Sequence, residues 1–276
     1  MFSILGFDMK YSVIMTTRRK IDGIKHAFLV SDKEAEFILV DSTFNEETKN
    51  ELKKLEHDYC QVVYAPPRHK KIFKRDFSLG LNTALMYTEG KWIIKIDDST
   101  EFKPDFFDVL TDDIVKLADY YKNEDFVLRP VKLEGWGVDK KWEPYHILNG
   151  VKERYIGLGR NGLGGIAFTT LDQAIFRRDS IDMLNGYDER YDMGHGYDDN
   201  DLFQRFLTLH HNVVMDQKLM TYQYGHEIRP DFVDFVKILF QFTFLEIQNG
   251  RHMAYNNFDL KSEREKMLKN KEEYIL

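Results

Sequence analysis

Two acidic clusters carry the chemistry in this sequence. In the first, the apolar run Trp92-Ile93-Ile94-Lys95-Ile96 leads straight into Asp97-Asp98-Ser99. Adjacent carboxylates repel, so keeping both ionised at a strand end calls for a cation or a set of donors. A divalent ion bridging diphosphate oxygens meets that need. Mg2+ and Mn2+ prefer hard oxygen ligands and often take only one or two protein carboxylates. The same triplet also suits a turn or a helix cap, so alone it is a weak sign. In the second cluster, Gly196-Tyr197-Asp198-Asp199-Asn200-Asp201-Leu202 opens a helical pattern continued by Phe203, Phe206 and Leu207. Carboxylates are favourable at a helix N-terminus, and that accounts for Asp201. Asp198 and Asp199 beside it exceed what one cap needs. A carboxylate placed there can take the proton of an attacking hydroxyl. A third candidate is His226, after Tyr224-Gly225. A lone histidine is commonly structural or exposed, but a neutral imidazole can also complete the coordination of an ion near Asp98.

These groups need elements to hold them, and the pattern supplies them. Tyr11 to Met15 reads as a strand ending in the polar turn Thr16-Thr17-Arg18-Arg19. Glu36 to Val40 is a second strand, ending at Asp41, and Gln61 to Tyr64 a third, stopped by Pro66-Pro67. Helical patterns over Glu46 to Glu56 and Phe77 to Tyr87 alternate with them, and Trp92 to Ile96 is a fourth strand. Such alternation predicts an α/β fold with a mostly parallel sheet flanked by helices. Ligands bind at the carboxyl ends of strands in such sheets, where Thr16 to Arg19, Asp41 and Asp97-Asp98 fall.

Beyond the fourth strand the pattern loosens. Arg129 to Gly165 holds Trp136, Trp142 and the run Gly157 to Gly165, and reads as loop with short strands, a length that usually means function. Ala167 to Thr170 is strand-like. Helices follow around Asp179 to Leu184 and from Asp199 to Leu209, and Asn212 to Met215 reads as a last strand. Phe232 to Ile247 is apolar around most of its circumference, which predicts a buried helix, with a shallow membrane-surface contact as the lesser alternative. Lys261 to Glu273 is a charged helix expected to lie at the periphery.

Composition narrows the classes. The 276 residues, 43% hydrophobic and 31% charged, suit one large α/β domain or one domain with a small helical appendage. The net charge of −7 disfavours tight duplex DNA binding. One basic stretch, Arg68-His69-Lys70-Lys71 with Lys74-Arg75, suits a solvated or phosphate-facing segment. Cys60 is the sole cysteine and cannot form an intrachain disulfide. A buried thiol in a reducing, cytoplasmic compartment is expected. The opening MFSILGFDMKYSVIM is broken by Asp8 and Lys10 and does not read as a leader, and no apolar run reaches bilayer-spanning length.

Taken together, the chain resembles the GT-A glycosyltransferases, in particular the inverting family 2 enzymes and the related galactosyltransferase C-terminal motif. The resemblance runs from Tyr11 to His226. It is carried by Leu81-Asn82-Thr83-Ala84 with Gly90 and the aspartate strand, by Phe102-Lys103-Pro104-Asp105-Phe106-Phe107, and by Gly164-Gly165 through Arg177. Most specific are Asn185-Gly186-Tyr187-Asp188-Glu189 and Gly196 to Leu202, similar to the family's Gly-Tyr-Asp-Glu … Gly-x-Glu-Asp-x-Asp-Leu block. The resemblance implies a GT-A domain over residues 1–228, a C-terminal helical extension over 229–276, and transfer of a sugar from a nucleotide donor, UDP being the commonest, to a hydroxyl acceptor with inversion.

It also implies roles for individual residues. Asp41 would hold the base, Asp97 and Asp98 would touch ribose and metal, Asp198 the acceptor, Asp199 would be the general base, and His226 would join Asp98 on Mn2+ or Mg2+. With the polar turns included, the expected donor side is Thr16, Thr17, Arg18, Asp41, Arg75, Asn82, Asp97 and Gly165, and the expected acceptor side is Asp198 and Trp136. Two positions depart from the pattern. Ser99 stands where the third residue of Asp-x-Asp is acidic, and Asp198 is one methylene shorter than the usual Glu. The acceptor class stays open among glycan, protein, lipid-linked sugar and modified nucleobase. Two rivals remain. A nucleotidyltransferase would have a glycine-rich loop after its first strand, where this chain has Thr16 to Lys20. A non-catalytic sugar-nucleotide or glycan-binding module would have no need of Asp199.

Overall fold

The computed structural model describes residues 11–18, 20–31, 35–55, 60–69, 76–122, 126–136, 141–144, 155–157, 173–194, 196–209, 212–224 and 233–276. In chain order the first half runs β1 (Tyr11–Thr17), α1 (Asp22–Val30), β2 (Ala35–Asp41), α2 (Glu46–Leu52), β3 (Cys60–Ala65), α3 (Phe77–Met86), β4 (Trp92–Lys95), β5 (Thr100–Phe102) and α4 (Phe106–Tyr121). The second half runs β6 (Phe126–Trp136), β7 (Lys141–Pro144), β8 (Tyr155–Gly157), β9 (Ala174–Arg177), α5 (Arg178–Met183), α6 (Asp198–Thr208), β10 (Asn212–Tyr224), α7 (Val233–Gln248) and α8 (Leu260–Met267). Two 3₁₀ segments, Glu189–Met193 and Leu268–Tyr274, complete it.

Among the described residues the strands form one sheet in the order β3-β2-β1-β4-β9-β6-β10-β5, with β7 on β6 and β8 on β10. The first four strands are mutually parallel. Their side chains alternate between two cores: Val13, Met15, Phe37, Leu39 and Ile94 face α1 and α4, while Ile14, Ile38, Val40 and Ile93 face α3, α5, α6 and α8. Burial on both faces explains why these strands read as unbroken apolar runs. The chain winds outward from β1 to β3 and then returns to β4 on the other side of β1. The reversal leaves a crevice between the carboxyl ends of β1 and β4, the place where open α/β sheets take ligands.

The second half of the sheet is mixed. β9 is antiparallel to both β4 and β6, and β6 runs parallel to β10. Three expectations need correction here. The expected loop with short strands from Arg129 to Gly165 holds the short strands β7 and β8, but it begins in one long strand, Phe126–Trp136, paired along its length with β10. β10 itself does not stop at Met215. A register shift between Asp216 and Met220 absorbs the polar Asp-Gln-Lys interruption, and the strand continues to Tyr224. The tail is not peripheral either: Leu260 lies in the second core, Arg264 Nε donates to the Leu85 carbonyl at 2.9 Å, and Lys271 is buried against Glu36.

The long apolar helix also differs from expectation. Val236, Thr243 and Ile247 of α7 are buried, but Ile238, Phe242 and Leu245 are 52%, 66% and 57% exposed. The apolar surface exceeds what its neighbours cover. Among the described residues, no helix is long and apolar enough to cross a membrane.

Candidate active site

A cavity of ≈ 530 Å³ opens at the β1/β4 crevice. That size suits a small-molecule or cofactor site. Thr16, Thr17 and Arg18 from the end of β1 line one side, Asp97, Asp98 and Ser99 from the end of β4 the floor, and Gly196, Asp198 and Asp199 from the start of α6 the far wall. The two acidic clusters of the sequence therefore meet on one cavity, although a hundred residues separate them.

Two close approaches fix the floor. The Gly23 N–H donates to the Asp98 carbonyl at 3.0 Å, and a Cβ on Gly23 would fall 2.4 Å from the Asp97 carbonyl oxygen. A Cβ on Gly80 would fall 2.1 Å from Thr16 Oγ1. Helices α1 and α3 thus press on the ends of β4 and β1 at positions where only glycine fits.

The Asp97 carboxylate is held at both oxygens. Oδ1 lies 3.2 Å from Lys95 Nζ, and Oδ2 accepts from Gln223 Nε2 at 2.9 Å. Asp199 faces the same ammonium at 3.4 Å. Next to it, burial pushes the Asp198 carboxyl up to about 6, against the opposing pull of Lys95. Asp198 Oδ2 is enclosed and has no hydrogen-bond partner among the described residues. The chain reaches this carboxylate pair through Gly196 at φ +88° and Tyr197 at φ +68°. A tyrosine in the left-handed region is uncommon, and packing holds it there: its ring lies 5.2 Å from that of Phe240 on α7.

The other expected site residues divide. Arg18 lines the cavity and pairs with Asp76 at 2.8 Å. Asp41 lies behind the wall, 1% exposed, with Oδ1 accepting from the Thr43 amide and hydroxyl and Oδ2 from the Tyr64 hydroxyl, each at 2.8 Å. Its carboxylate shapes the loop that presents Ser42 to the cavity. Asn82 is fully buried and hydrogen-bonded to the backbone of Tyr187 and the carboxylate of Glu189, so it fastens α3 to the Asn185–Glu189 loop behind the cavity lining. Asp201, expected to serve as a helix cap, is instead buried in ion pairs with Arg205 at 2.7 Å and Arg251 at 2.8 Å. Arg75, Gly165 and His226 lie outside the described residues, as does the side chain of Trp136.

Sequence reasoning missed Lys95 as a site residue, and also Asp192 and Tyr191. Asp192 lines the cavity and accepts from the first-turn amides of α3, Ser78 at 2.8 Å and Leu79 at 2.9 Å. No local pattern joins it to a helix more than a hundred residues earlier.

A divalent cation is compatible with this floor. Asp98 lines the cavity, and the enclosed Ser99 Oγ beside it lacks a hydrogen-bond partner among the described residues. Among those residues no group of three histidine, cysteine, aspartate or glutamate side chains is assembled for a metal. The donors present fit an ion carried largely by phosphate oxygens, which needs few protein ligands.

No protein-family model matches the sequence, and no curated protein matches it. Solved structures do. TarS of S. aureus, residues 1–349 in complex with UDP-GlcNAc, superposes with a TM-score of 0.64 at 19% identity, over 94% of this chain and 70% of that one. The fold is a glycosyltransferase fold of the GT-A type. In a longer TarS structure the match covers 43% of that chain, so the present chain spans under half of it. The mannosyltransferase PcManGT from Pyrobaculum calidifontis, in complex with GDP-Man and Mn2+, superposes with a TM-score of 0.51 at 13% identity, over 77% of this chain and 56% of that one.

Proposed function

We propose that this chain is an inverting glycosyltransferase that moves a sugar from a nucleotide-sugar donor to a hydroxyl acceptor, with Mn2+ or Mg2+ at the diphosphate. One observation carries the reading: the cavity at the sheet's crevice brings Asp97-Asp98 from the end of β4 and Asp198-Asp199 from the start of α6 together on one lining. The nucleotide sugars bound by TarS and PcManGT in the same fold support it, and the UDP of the former favours a UDP-sugar.

Asp97, steadied by Gln223, binds the donor on the ribose side, with Thr16, Thr17 and Arg18 around it. Asp98 and the Ser99 hydroxyl would hold the cation, with His226 as a further proposed ligand. When bound, a divalent ion stabilises the charge that develops on the departing diphosphate. The acceptor hydroxyl, steered by Asp198 and Trp136, attacks the anomeric carbon as the bond to the diphosphate breaks, and Asp199 takes the hydroxyl proton. An aspartate is a weak base at rest, but the attacking oxygen becomes acidic as the new bond forms, so the proton moves late. Residues 1–228 would form the catalytic unit and 229–276 an extension packed on it, in a reducing, cytoplasmic setting.

The test is a donor-hydrolysis screen over UDP-, GDP- and TDP-sugars with Mn2+ or Mg2+. Release of nucleoside diphosphate from one of them, abolished by exhaustive EDTA treatment and restored by Mn2+, is the expected result. Pyrophosphate chemistry on a nucleoside triphosphate would make the chain a nucleotidyltransferase. Binding of donor without turnover under any acceptor would make it a binding module. Full activity after chelation would remove the metal from the mechanism.

A further inference from the structure

The proposed reaction gives no duty to the lysine that lies behind two of the cavity's carboxylates, Asp97 and Asp199. Lys95 ends β4 and is wholly buried, on a central strand whose other residues are apolar. Its ammonium lies 3.2 Å from Asp97 Oδ1 and 3.4 and 3.5 Å from the two oxygens of Asp199, and 5.2 Å above the Phe77 ring. Removing an ammonium from water is costly, and a buried ion pair is by itself weak evidence of stabilisation. This one joins a carboxylate on the donor side to a carboxylate on the acceptor side, from segments a hundred residues apart. Asp97 has a second anchor in Gln223. The near-equal distances to both Asp199 oxygens centre that carboxylate on the ammonium.

We infer that Lys95 is a positioning residue for the transfer step: its ammonium sets the place of Asp199 relative to Asp97, and so of the base relative to the donor's reacting carbon. The inference rests on the glycosyltransferase reading. Displacement reactions are sensitive to such placement, since a shift of about 1 Å can cost on the order of a hundredfold in rate.

The test is a double-mutant cycle in the full chain, read by hydrolysis of UDP-GlcNAc with Mn2+, with crystal structures of the variants beside it. Lys95→Met should lower kcat on the order of a hundredfold while KM moves only a few-fold, because Gln223 still holds Asp97. Lys95→Arg, which keeps the charge, should recover at least a tenth of the wild-type rate. In an Asp199→Asn background, Lys95→Met should cost little more, because residues acting through one another are not additive. Losses that multiply, or a wild-type rate in Lys95→Met, overturn the inference. If Lys95→Met does not fold, Lys95→Gln takes its place in the cycle. If the wild-type chain hydrolyses no nucleotide sugar, the glycosyltransferase reading fails separately, and the structures still decide the positioning. An Asp199 carboxylate that stays in place without the ammonium sinks the inference, and one that swings away supports it.

Discussion

At the scale of single residues, the acidic run at the start of α6 contains aspartates with opposite fates. Asp199 faces the cavity beside Lys95. Asp199→Asn keeps the size and removes the basic site, so transfer should fall on the order of a hundred- to ten-thousand-fold. Donor affinity, measured by calorimetry, should change little. Retention of the donor's anomeric configuration in the product would sink the single-displacement mechanism. Asp201 is the opposite case. Both its oxygens are engaged by buried guanidinium groups, from Arg205 one turn later and from Arg251. Asp201→Asn should therefore cost on the order of 3–5 kcal/mol in urea unfolding, the usual effect of stripping one partner from a buried pair. Any loss of activity should follow the loss of folded protein. The acidic clusters were legible because like charges rarely crowd without a reason. That Asp201 would be buried between two arginines was not legible, because Arg205 and Arg251 meet it only through packing. Lys95 was hidden for a related reason: a lysine in an apolar strand shows its purpose only through partners remote in sequence.

At the scale of elements, α3 shows how the site is tied together. Its N-cap residue, Asp76, makes no capping bond to the helix and pairs with Arg18 instead. The cap comes from Asp192, in the 3₁₀ segment that precedes α6. Burial pushes the Asp192 carboxyl from 3.8 up to about 6, against the bonds it accepts from Ser78 and Leu79. A carboxyl whose pKa is higher folded than unfolded contributes stability that is complete below the unfolded value and is lost as pH rises through the folded one. Here the window runs from 3.8 to about 6. A two-unit difference corresponds to roughly 3 kcal/mol. Relative to Asp192→Asn, the wild-type chain should lose about that much across the window in urea melts at stepped pH. A constant difference between the two proteins would contradict this. The parallel strands were legible, since burial on both faces writes continuous apolar runs, and so were α2 and α3; α1, over Asp22–Val30, was not. β6, β9 and the far half of β10 were not. They pair antiparallel or across a bulge, and β6 carries Arg129, Pro130 and Lys132 in what proves to be sheet.

At the scale of the whole molecule, the segment from Lys271 to Leu276 packs back on the first strands. Lys271 is buried against Glu36 of β2, and Glu36 also accepts from the Ser12 hydroxyl and the Gly90 amide. The Leu276 amide donates to the Val62 carbonyl at 3.0 Å, and Ile275 bridges to Val63, so the tail covers the exposed edge of β3. Lys271→Met should cost on the order of 3–5 kcal/mol in chemical denaturation by leaving Glu36 unpaired in the core. Adding Glu36→Gln should cost less than the sum of the two single losses. Strict additivity would show that the pair is not coupled. Periodicity identified this tail as a charged helix but could not show where its charges would land, because Lys271 and Arg264 read as surface residues in any local window. The tail's position also bears on how the protein is made. The first four strands leave the ribosome early, yet their outer edge and a buried glutamate wait for residues about two hundred positions later. At typical synthesis rates that interval is roughly ten to forty seconds. For that time the nascent sheet carries an open edge, the feature that invites pairing with another chain. Nascent chains of this protein are therefore expected to engage chaperones until residues 271–276 emerge.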